Sequence, residues 1–252
     1  MTHASRTLRI AILGTRGVPA RYGGFETAVA EIGGRLSDLG HDVRVYCRDA
    51  TEPATFHRGM RRVVLPAVHR KALETFTHTA LSTAHVLRER PDAAIVFNAA
   101  NAPYVAALQA ARIPTALHID GHDGRREKWR GTGRRYYSVA TRVGAATARR
   151  VIVDSEAIAE ELHLSHRITT TVIPYGATPP SLTPAAAAAH LASIGLSPRG
   201  FHLVVARFEP ENKVLDIVRG YTASTASLPL VVVGFAGFPG DYAREISELA
   251  GR

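Results

Sequence analysis

The residues with the clearest chemical potential lie in one loop near the start of the chain. The sequence LGTRGVPARYGGFETAVAEI, Leu13–Ile32, follows an apolar run and leads into a helix-like pattern. Gly23 and Gly24 precede the predicted helix, where free backbone N–H groups and the helix dipole favour an anion. Because these glycines lack a Cβ, a phosphate can approach closely. The spacing matches neither the dinucleotide-binding fingerprint nor the Gly-Lys-Ser/Thr phosphate loop, so an ordinary glycine turn is the alternative.

A second cluster follows a later apolar run, in the sequence LHIDGHDGRREKW at 117–129. His118 and Asp120 lie on the same side of an extended chain, and such a pair can position or deprotonate a hydroxyl group. The ligand spacings of a zinc site are absent and basic residues crowd the segment, so we predict no metal. The sequence contains 12 histidines, so a solvated loop with incidental histidines is the alternative.

Two further groups are cationic. Arg207 at a predicted strand end and Lys213 at a helix start can neutralise a departing diphosphate. A basic run with interleaved aromatic residues at 125–137 suits nucleic acid, an anionic membrane surface or a lipid-linked phosphate, and equally a solvated helix face. Since no recognised nucleic-acid motif accompanies the run, we predict no nucleic-acid partner.

Composition limits the classes of protein that remain. The 252 residues are 46% apolar and 21% charged, which is typical of a globular chain with a sizeable core. The formal charge of +9 favours anionic partners. The single cysteine, Cys47, excludes a disulfide within the chain and indicates a reducing compartment. No signal peptide and no run of membrane-spanning length is evident, so we predict a cytoplasmic protein.

The elements that must position these residues alternate along the chain. Short continuous apolar runs alternate with amphipathic stretches, which predicts a doubly wound parallel sheet of the Rossmann-like α/β class. In such sheets ligands bind at the carboxyl ends of the strands. We expect strands at 8–13, 42–47, 61–68, 93–97, 115–119, 151–153 and 170–173, and helices at 25–39, 73–90, 103–111, 132–149 and 157–164.

The last third of the chain has a different organisation. A segment rich in proline and alanine at 177–200 reads as a linker that contains a helix. Strands at 202–206 and 230–233 and helices at 212–222 and 242–250 then form a βαβα piece, which is too small to bury a core of its own. We therefore predict a complete domain at 1–176, the linker, and an incomplete second domain at 201–252.

Several motifs occur in a recognisable order: GTRGVPARYGGFE, DG followed by KW, VIVDSEAIAEEL, IPYGA and VARFEPEN. In this set the chain resembles a bacterial branch of the family 4 glycosyltransferases, whose N-terminal domain of unknown function occurs in rhamnosyltransferases. The resemblance covers nearly the whole chain. It implies a GT-B architecture, in which an acceptor-side Rossmann-like domain faces a nucleotide-sugar domain across a cleft. It also implies retention of the anomeric configuration and no need of a metal.

The resemblance assigns donor-binding roles to particular residues. Gly23 and Gly24 would face the donor diphosphate, and Arg207 would match the arginine that grips it. The general family pattern places a lysine five residues after that arginine, where this chain has Asn212. Lys213 lies one position further and is our candidate for the same role.

The resemblance also implies a sugar and acceptor side. His118 would lie beside the transferred sugar, Asp120 matches the DG of the branch, and we predict that both act in catalysis. The branch usually has Asn at the place of His118, and Glu-Trp where this chain has 123–124, so the acceptor loop differs. The residues predicted on the acceptor or sugar side are Arg16, Tyr22, Glu26 and Asn98.

The resulting functional expectation is an enzyme that transfers a hexose or deoxyhexose from a nucleotide-sugar. The acceptor would be a growing polysaccharide or a lipid-linked saccharide, met in the cytoplasm or at the anionic inner face of the membrane, and rhamnose is the sugar that the family's company implies. No cofactor beyond the nucleotide-sugar substrate is expected. The alternative is a truncated, non-catalytic fragment that binds acceptor or membrane surface, because the acidic donor-binding motif of the family lies beyond the 252 residues.

Overall fold

The computed structural model describes residues 6–20, 23–48, 53–68, 73–119, 132–177, 181–236 and 240–251. The chain divides into two compact units, Met1–Gly176 and Ala177–Arg252. The first unit contains a sheet whose strands are β1 Arg9–Leu13, β2 Asp42–Cys47, β3 Phe56–His57, β4 Met60–Val64, β5 Ala93–Phe97, β6 Thr115–Ile119, β7 Arg150–Val153 and β8 Thr171–Val172. Its helices are α1 Gly24–Asp38, α2 Leu73–Glu89, α3 Ala102–Ala110, α4 Thr132–Thr147 and α5 Glu156–His166, with a 3₁₀ turn at Ala99–Asn101.

The order of the strands confirms the predicted α/β class. The eight strands lie in the order β3-β4-β2-β1-β5-β6-β7-β8, and every pair except β3–β4 is parallel. The chain begins at the centre of the sheet, winds outward through β2 and β4, and then returns to wind outward through β5 to β8. The winding reverses between β1 and β5, and a crevice forms at such a reversal outside the carboxyl ends of the strands.

The core explains why the strands read as continuous apolar runs. Leu13, Val45 and Leu117 are fully buried, because helices cover both faces of a parallel sheet. Two apolar clusters result. One cluster joins the strands to α2, α3, α4 and α5, and the other joins β1, β2, β4 and the end of β5 to α1. The carboxyl edge of the sheet is therefore a rigid base for the loops that follow the strands.

The third predicted strand is wrong in its bounds, and the structure shows why. The sequence favours one strand at 61–68, whereas β4 ends at Val64 and is preceded by the short antiparallel strand β3. Arg58 and Gly59 join the two strands with φ angles of 48° and 76°, the pattern of a two-residue hairpin turn. Pro66 lies just beyond the last ladder hydrogen bond, from Leu65 N–H to the Cys47 carbonyl, and has no N–H to extend it.

The second unit is smaller and has one covered sheet face. Its elements are α6 Pro184–Ser193, β9 His202–Val205, a 3₁₀ turn at Pro210–Asn212, α7 Val214–Thr222, β10 Leu230–Val233 and α8 Asp241–Ala250. The two strands are parallel. Four residues of α7 and α8 form the buried centre, Val214, Leu215, Val218 and Ile246. The strand residues Leu203, Val205 and Val233 stay 56%, 70% and 50% exposed, so one face of this sheet has no cover in the described part of the chain.

Candidate functional site

The loop after β1 enters the crevice through a conformation that needs glycine. Gly14 has φ +97°, and a Cβ there would overlap the Phe97 carbonyl oxygen. Asn101, which is fully buried, donates from Nδ2 to the Gly14 carbonyl (3.2 Å) and to the Phe97 carbonyl (2.9 Å). One amide group therefore ties the ends of β1 and β5 together at the point where the winding reverses. Sequence analysis missed Asn101, although an asparagine shortly after a strand is a signal for such a bridge.

The N-terminus of α1 lies at this reversal. Gly23 precedes the helix in an extended conformation and provides no capping side chain, so a ligand or water can accept hydrogen bonds from the first-turn N–H groups. A Cβ on Gly24 would lie 3.4 Å from Cε2 of Tyr175, which shows that the tyrosine ring packs directly on this glycine. Gly23 and Gly24 thus lie at the N-terminus of a helix, as the sequence predicts, and their role in binding a diphosphate stays a prediction.

Glu26 holds the loop onto this helix. Its carboxylate is 5% exposed, and Oε1 accepts the backbone N–H of Arg16 at 3.0 Å. A carboxylate in the first turn interacts favourably with the helix dipole. Arg16 and Glu26, both predicted on the acceptor or sugar side, are therefore brought together, but through the backbone of Arg16. The negative charge of Glu26 also means that an anion bound at this helix terminus needs cations from elsewhere.

Asn98 has a structural role at the end of β5. It has the left-handed φ of 73°, its N–H donates to the His118 carbonyl at 3.0 Å, and its Oδ1 accepts the Ala100 N–H at 2.8 Å. These bonds fix the start of the 3₁₀ turn and join β5 to the end of β6. Asn98 thus supports the backbone of His118, while its predicted role on the acceptor or sugar side stays a prediction.

His118 lies at the end of β6 between two aromatic rings. Its ring stacks on Phe97 with centroids 4.7 Å apart and on Tyr175 with centroids 5.5 Å apart, and Phe25 meets it edge-on at 5.9 Å. The side chain is 4% exposed. Burial lowers the pKa of His118 to about 4, against the opposing attraction of the Asp154 carboxylate. The imidazole is therefore neutral near pH 7.

Two polar atoms near this stack are buried without hydrogen-bond partners among the described residues. One is Nδ1 of His118, and the other is Oδ1 of Asp154, which directly follows β7. β6 and β7 are neighbours in the sheet, with His118 opposite Ile152. Buried polar atoms almost always have partners, so this pair indicates a place for a polar ligand group. A hydroxyl can donate to the carboxylate and also hydrogen-bond to the imidazole nitrogen.

The remaining predicted site residues are Tyr22, Asp120, Arg207 and Lys213. Tyr22 and Asp120 lie outside the described residues. Arg207 follows β9 in the second unit, where its carbonyl accepts from Nδ2 of Asn212 at 2.9 Å. Asn212, at the family's lysine position, thus braces the backbone of Arg207. Lys213 is left-handed with φ 57° at the start of α7, and its exposed ammonium pairs with Asp216 at 3.5 Å.

Sequence analysis missed two further residues of the His118 cluster. Tyr175 belongs to the motif IPYGA and Asp154 to VIVDSEAIAEEL, and both motifs contributed only to the resemblance. In the structure both surround His118. Over the described ranges, no group of three or more His, Cys, Asp or Glu residues could hold a metal ion. Nor does any helix in those ranges have the length and apolar character needed to cross a membrane.

The first unit is a doubly wound α/β unit of the Rossmann-like type, and the N-terminus of α1 and the side chain of His118 lie near the reversal of its sheet. The family follows from a direct match. The model of the Glycosyl transferase 4-like domain matches residues 23–176, well over half of the chain. The chain therefore belongs to this family of glycosyltransferase domains. None of the curated protein sequences matches it.

Solved structures confirm the fold over both units. Sucrose-phosphate synthase from Thermosynechococcus elongatus matches 98% of this chain and 67% of its own, at 18% identity and a TM-score of 0.70. Anabaena HepE in complex with UDP and glucose matches 98% and 66%, at 18% identity and a TM-score of 0.68. WaaG, a glycosyltransferase of lipopolysaccharide biosynthesis, matches 97% and 66%, at 13% identity and a TM-score of 0.68. The chain thus has the GT-B class of fold and spans about two thirds of the length of these structures.

Proposed function

We propose that this chain provides the acceptor side and the first part of the donor side of a retaining, metal-independent glycosyltransferase. The enzyme would transfer a hexose or deoxyhexose, with rhamnose as the first candidate, from a nucleotide-sugar to a polysaccharide or lipid-linked acceptor. It would act in the cytoplasm, including the inner face of the membrane. The observation that carries the proposal is a pair of buried atoms, on His118 and Asp154, that have no hydrogen-bond partner within the described ranges, in a chain of the glycosyl transferase 4-like family.

The chemistry assigns one task to each part of the cluster. The acceptor hydroxyl would hydrogen-bond to Asp154 and His118, which orients its oxygen toward the anomeric carbon of the donor. A bond from that oxygen to the anomeric carbon forms as the bond to the diphosphate oxygen breaks, and the nucleoside diphosphate leaves with the hydroxyl proton. Because His118 is neutral, it can align the hydroxyl without attracting the anionic leaving group.

The departing diphosphate needs positive partners. The N–H groups that follow Gly23 supply partial charge in the first unit, and we propose that Arg207 and Lys213 supply full charges from the second. Charge grows on the diphosphate as the sugar–phosphate bond breaks, and stabilisation at that point lowers the barrier. The UDP and glucose bound by HepE make UDP-glucose a practical first donor to test.

A donor assay on the 252-residue chain tests the proposal. UDP, GDP and dTDP are screened by thermal shift, and the matching nucleotide-sugars are screened for hydrolysis and transfer. We expect one nucleoside diphosphate to raise the melting temperature, because a ligand that binds only the folded state stabilises it. Stabilisation by none of the three, together with absence of transfer, contradicts the proposal and favours the fragment that binds acceptor or membrane.

A matched pair of variants tests the role of Arg207. Loss of an interaction with developing charge typically costs about 10²-fold or more in turnover, so Arg207→Ala is expected to lose turnover on that scale while its circular dichroism spectrum is unchanged. Arg199→Ala removes an exposed arginine of the same unit and serves as the control. Equal turnover in the two variants would refute the assignment.

A further inference from the structure

Arg48 is a half-buried cation at the carboxyl end of β2 that has no ion-pair partner among the described residues. Its Nε is buried, and no residue that the structure describes forms a hydrogen bond with it. Arg44, four residues earlier, is also partly buried but pairs with both Asp42 and Glu89. Because an unpaired buried charge is costly, Arg44 shows how this fold normally compensates such a group, and Arg48 is the exception.

The charges around Arg48 also provide too little negative charge to compensate its burial. Burial lowers the pKa of Arg48, and the neighbouring charge of Arg16 lowers it further, while Glu74 and Glu26 only partly offset these effects. For Arg44 the carboxylate partners outweigh burial and raise the pKa. Arg48 therefore lies where an additional negative charge would be stabilised.

Arg16 contributes a second cation to this place. The Arg48 N–H donates to the Arg16 carbonyl at 3.0 Å, so the backbone holds the two residues side by side at the ends of β1 and β2. His78 interacts electrostatically with Arg48 and is completely buried, and burial together with the charge of Arg48 lowers the pKa of His78 to about 4. His78 is neutral at physiological pH, so it adds no positive charge beside Arg48.

We propose that Arg48 and Arg16 bind a phosphate group of the acceptor substrate. Guanidinium groups suit phosphate because they donate in a planar fork to two oxygens at once. The charge of two guanidiniums is matched better by a doubly charged phosphate than by a singly charged carboxylate. The assignment of the phosphate to an acceptor substrate rests on the proposed function, whereas the phosphate site itself rests on the two arginines.

The position of the site separates it from the reacting hydroxyl. His118 ends β6 and Arg48 follows β2, and β1 and β5 lie between these strands. At about 4.8 Å per strand, the two places are about 14 Å apart along the edge of the sheet. The phosphate would therefore anchor a part of the acceptor remote from the hydroxyl that accepts the sugar.

Calorimetric titration of the 252-residue chain with inorganic phosphate tests the site, with acetate at equal ionic strength as the comparison anion. We expect phosphate to bind, and Arg48→Gln to weaken that binding about tenfold or more, the usual scale of a charge-assisted hydrogen-bond pair. Arg149→Gln, which removes an exposed arginine just before β7 at the opposite edge of the sheet, is expected to bind like the unchanged chain. Equal phosphate binding by Arg48→Gln, or equal binding of acetate, would overturn the proposal.

Two further variants protect the test against a folding failure. Arg48→Lys keeps the charge and is expected to retain most of the phosphate binding, and Arg16→Gln is expected to weaken it by a smaller factor. If Arg48→Gln does not fold, unchanged phosphate binding in Arg16→Gln together with its loss in Arg48→Lys would count against a site built on two charges. Parallel titrations with UDP test the proposed function separately. If UDP does not bind, the phosphate titrations still decide whether the phosphate site exists.

Vesicle sedimentation distinguishes two sources of the phosphate. If the phosphate belongs to a lipid-linked acceptor, the chain sediments with vesicles that contain a polyprenyl phosphate. Arg48→Gln then abolishes this sedimentation and affects sedimentation with phosphatidylglycerol vesicles less. If it belongs to a free sugar phosphate, inorganic phosphate binds but the polyprenyl phosphate adds nothing. Either result supports the site, and sedimentation that is indifferent to Arg48 in a chain that binds no phosphate refutes it.

Discussion

Two buried histidines should make the first unit sensitive to mild acid. His118 and His78 are 4% and 0% exposed, and burial lowers the pKa of each from 6.5 to about 4. In the unfolded chain each histidine regains its ordinary pKa. Between these two values the unfolded state binds more protons than the folded state, so stability is complete above about pH 6.5 and falls as the pH decreases toward about 4.

The size of the effect follows from the shift. A change of one pKa unit corresponds to about 1.4 kcal/mol, so each histidine can cost about 3 kcal/mol once the pH is well below 4. At about pH 5 the cost is about 2 kcal/mol for each histidine, or about 4 kcal/mol for both. Carboxylates such as Glu89, whose pKa is lowered by its hydrogen bond to Arg44, lose their contribution at more acid pH, so the window from about pH 6.5 to 5 isolates the histidines.

Urea unfolding followed by far-ultraviolet circular dichroism at about pH 7.5 and about pH 5 measures the loss. His118→Phe keeps an aromatic ring between Phe97 and Tyr175 but cannot titrate, so it should reduce the loss by about 2 kcal/mol. His163→Gln removes a histidine that is exposed on α5 and should behave like the unchanged chain. If His118→Phe loses as much stability as the unchanged chain, the neutral, buried state of His118 is refuted.

Three other substitutions test the supports of the site. Gly14→Ala should lower the free energy of unfolding by more than about 3 kcal/mol, because backbone strain at φ +97° adds to overlap with the Phe97 carbonyl oxygen. Gly40→Ala, where φ is +87° and the space is open, should lower it by only about 1 kcal/mol. Equal losses in urea unfolding would contradict this prediction. Asn101→Ala should cost about 1–3 kcal/mol through two buried carbonyls left without a donor, and a neutral effect would show that water replaces the amide. Tyr175→Ala should expose His118 and raise the pKa of its imidazole, which NMR of the imidazole protons can measure. Tyr175→Phe keeps the stacked ring and serves as the control. An identical titration of His118 in both variants would show that Tyr175 does not bury it.

The fold could be predicted from sequence because its signals are local. Strands such as β2 and β5 are short apolar runs between polar turns, and the structure places both at the predicted bounds. The hairpin of β3 and β4 was missed because β3 has only two residues, Phe56–His57, and a two-residue strand has no periodicity to detect. Its only signal is Gly59 in the turn.

The site was less predictable because its contacts join distant parts of the chain. The sequence identifies His118 as a strand-end residue, but its neutrality depends on Phe97 and Tyr175, which reach it from other strand ends. Asp154 and Arg48 are informative only because a buried atom of each has no hydrogen-bond partner in the part of the chain that the structure describes. The burial of single atoms cannot be predicted from residue types. Donor, acceptor and catalytic roles stay predictions, including those of Gly23 and Arg207.

The contact between Gly17 and Cys47 turns the one cysteine of the sequence into a natural reporter. A Cβ on Gly17 would lie 2.5 Å from the Cys47 sulfur, so the loop that leads to the predicted anion site lies directly over Cys47, which is 1% exposed. A thiol reagent can reach this sulfur only when the loop lifts or the unit unfolds. The labelling rate of the unmodified chain therefore measures the opening of the loop. A ligand that binds the loop and stabilises its closed position should slow the labelling of Cys47.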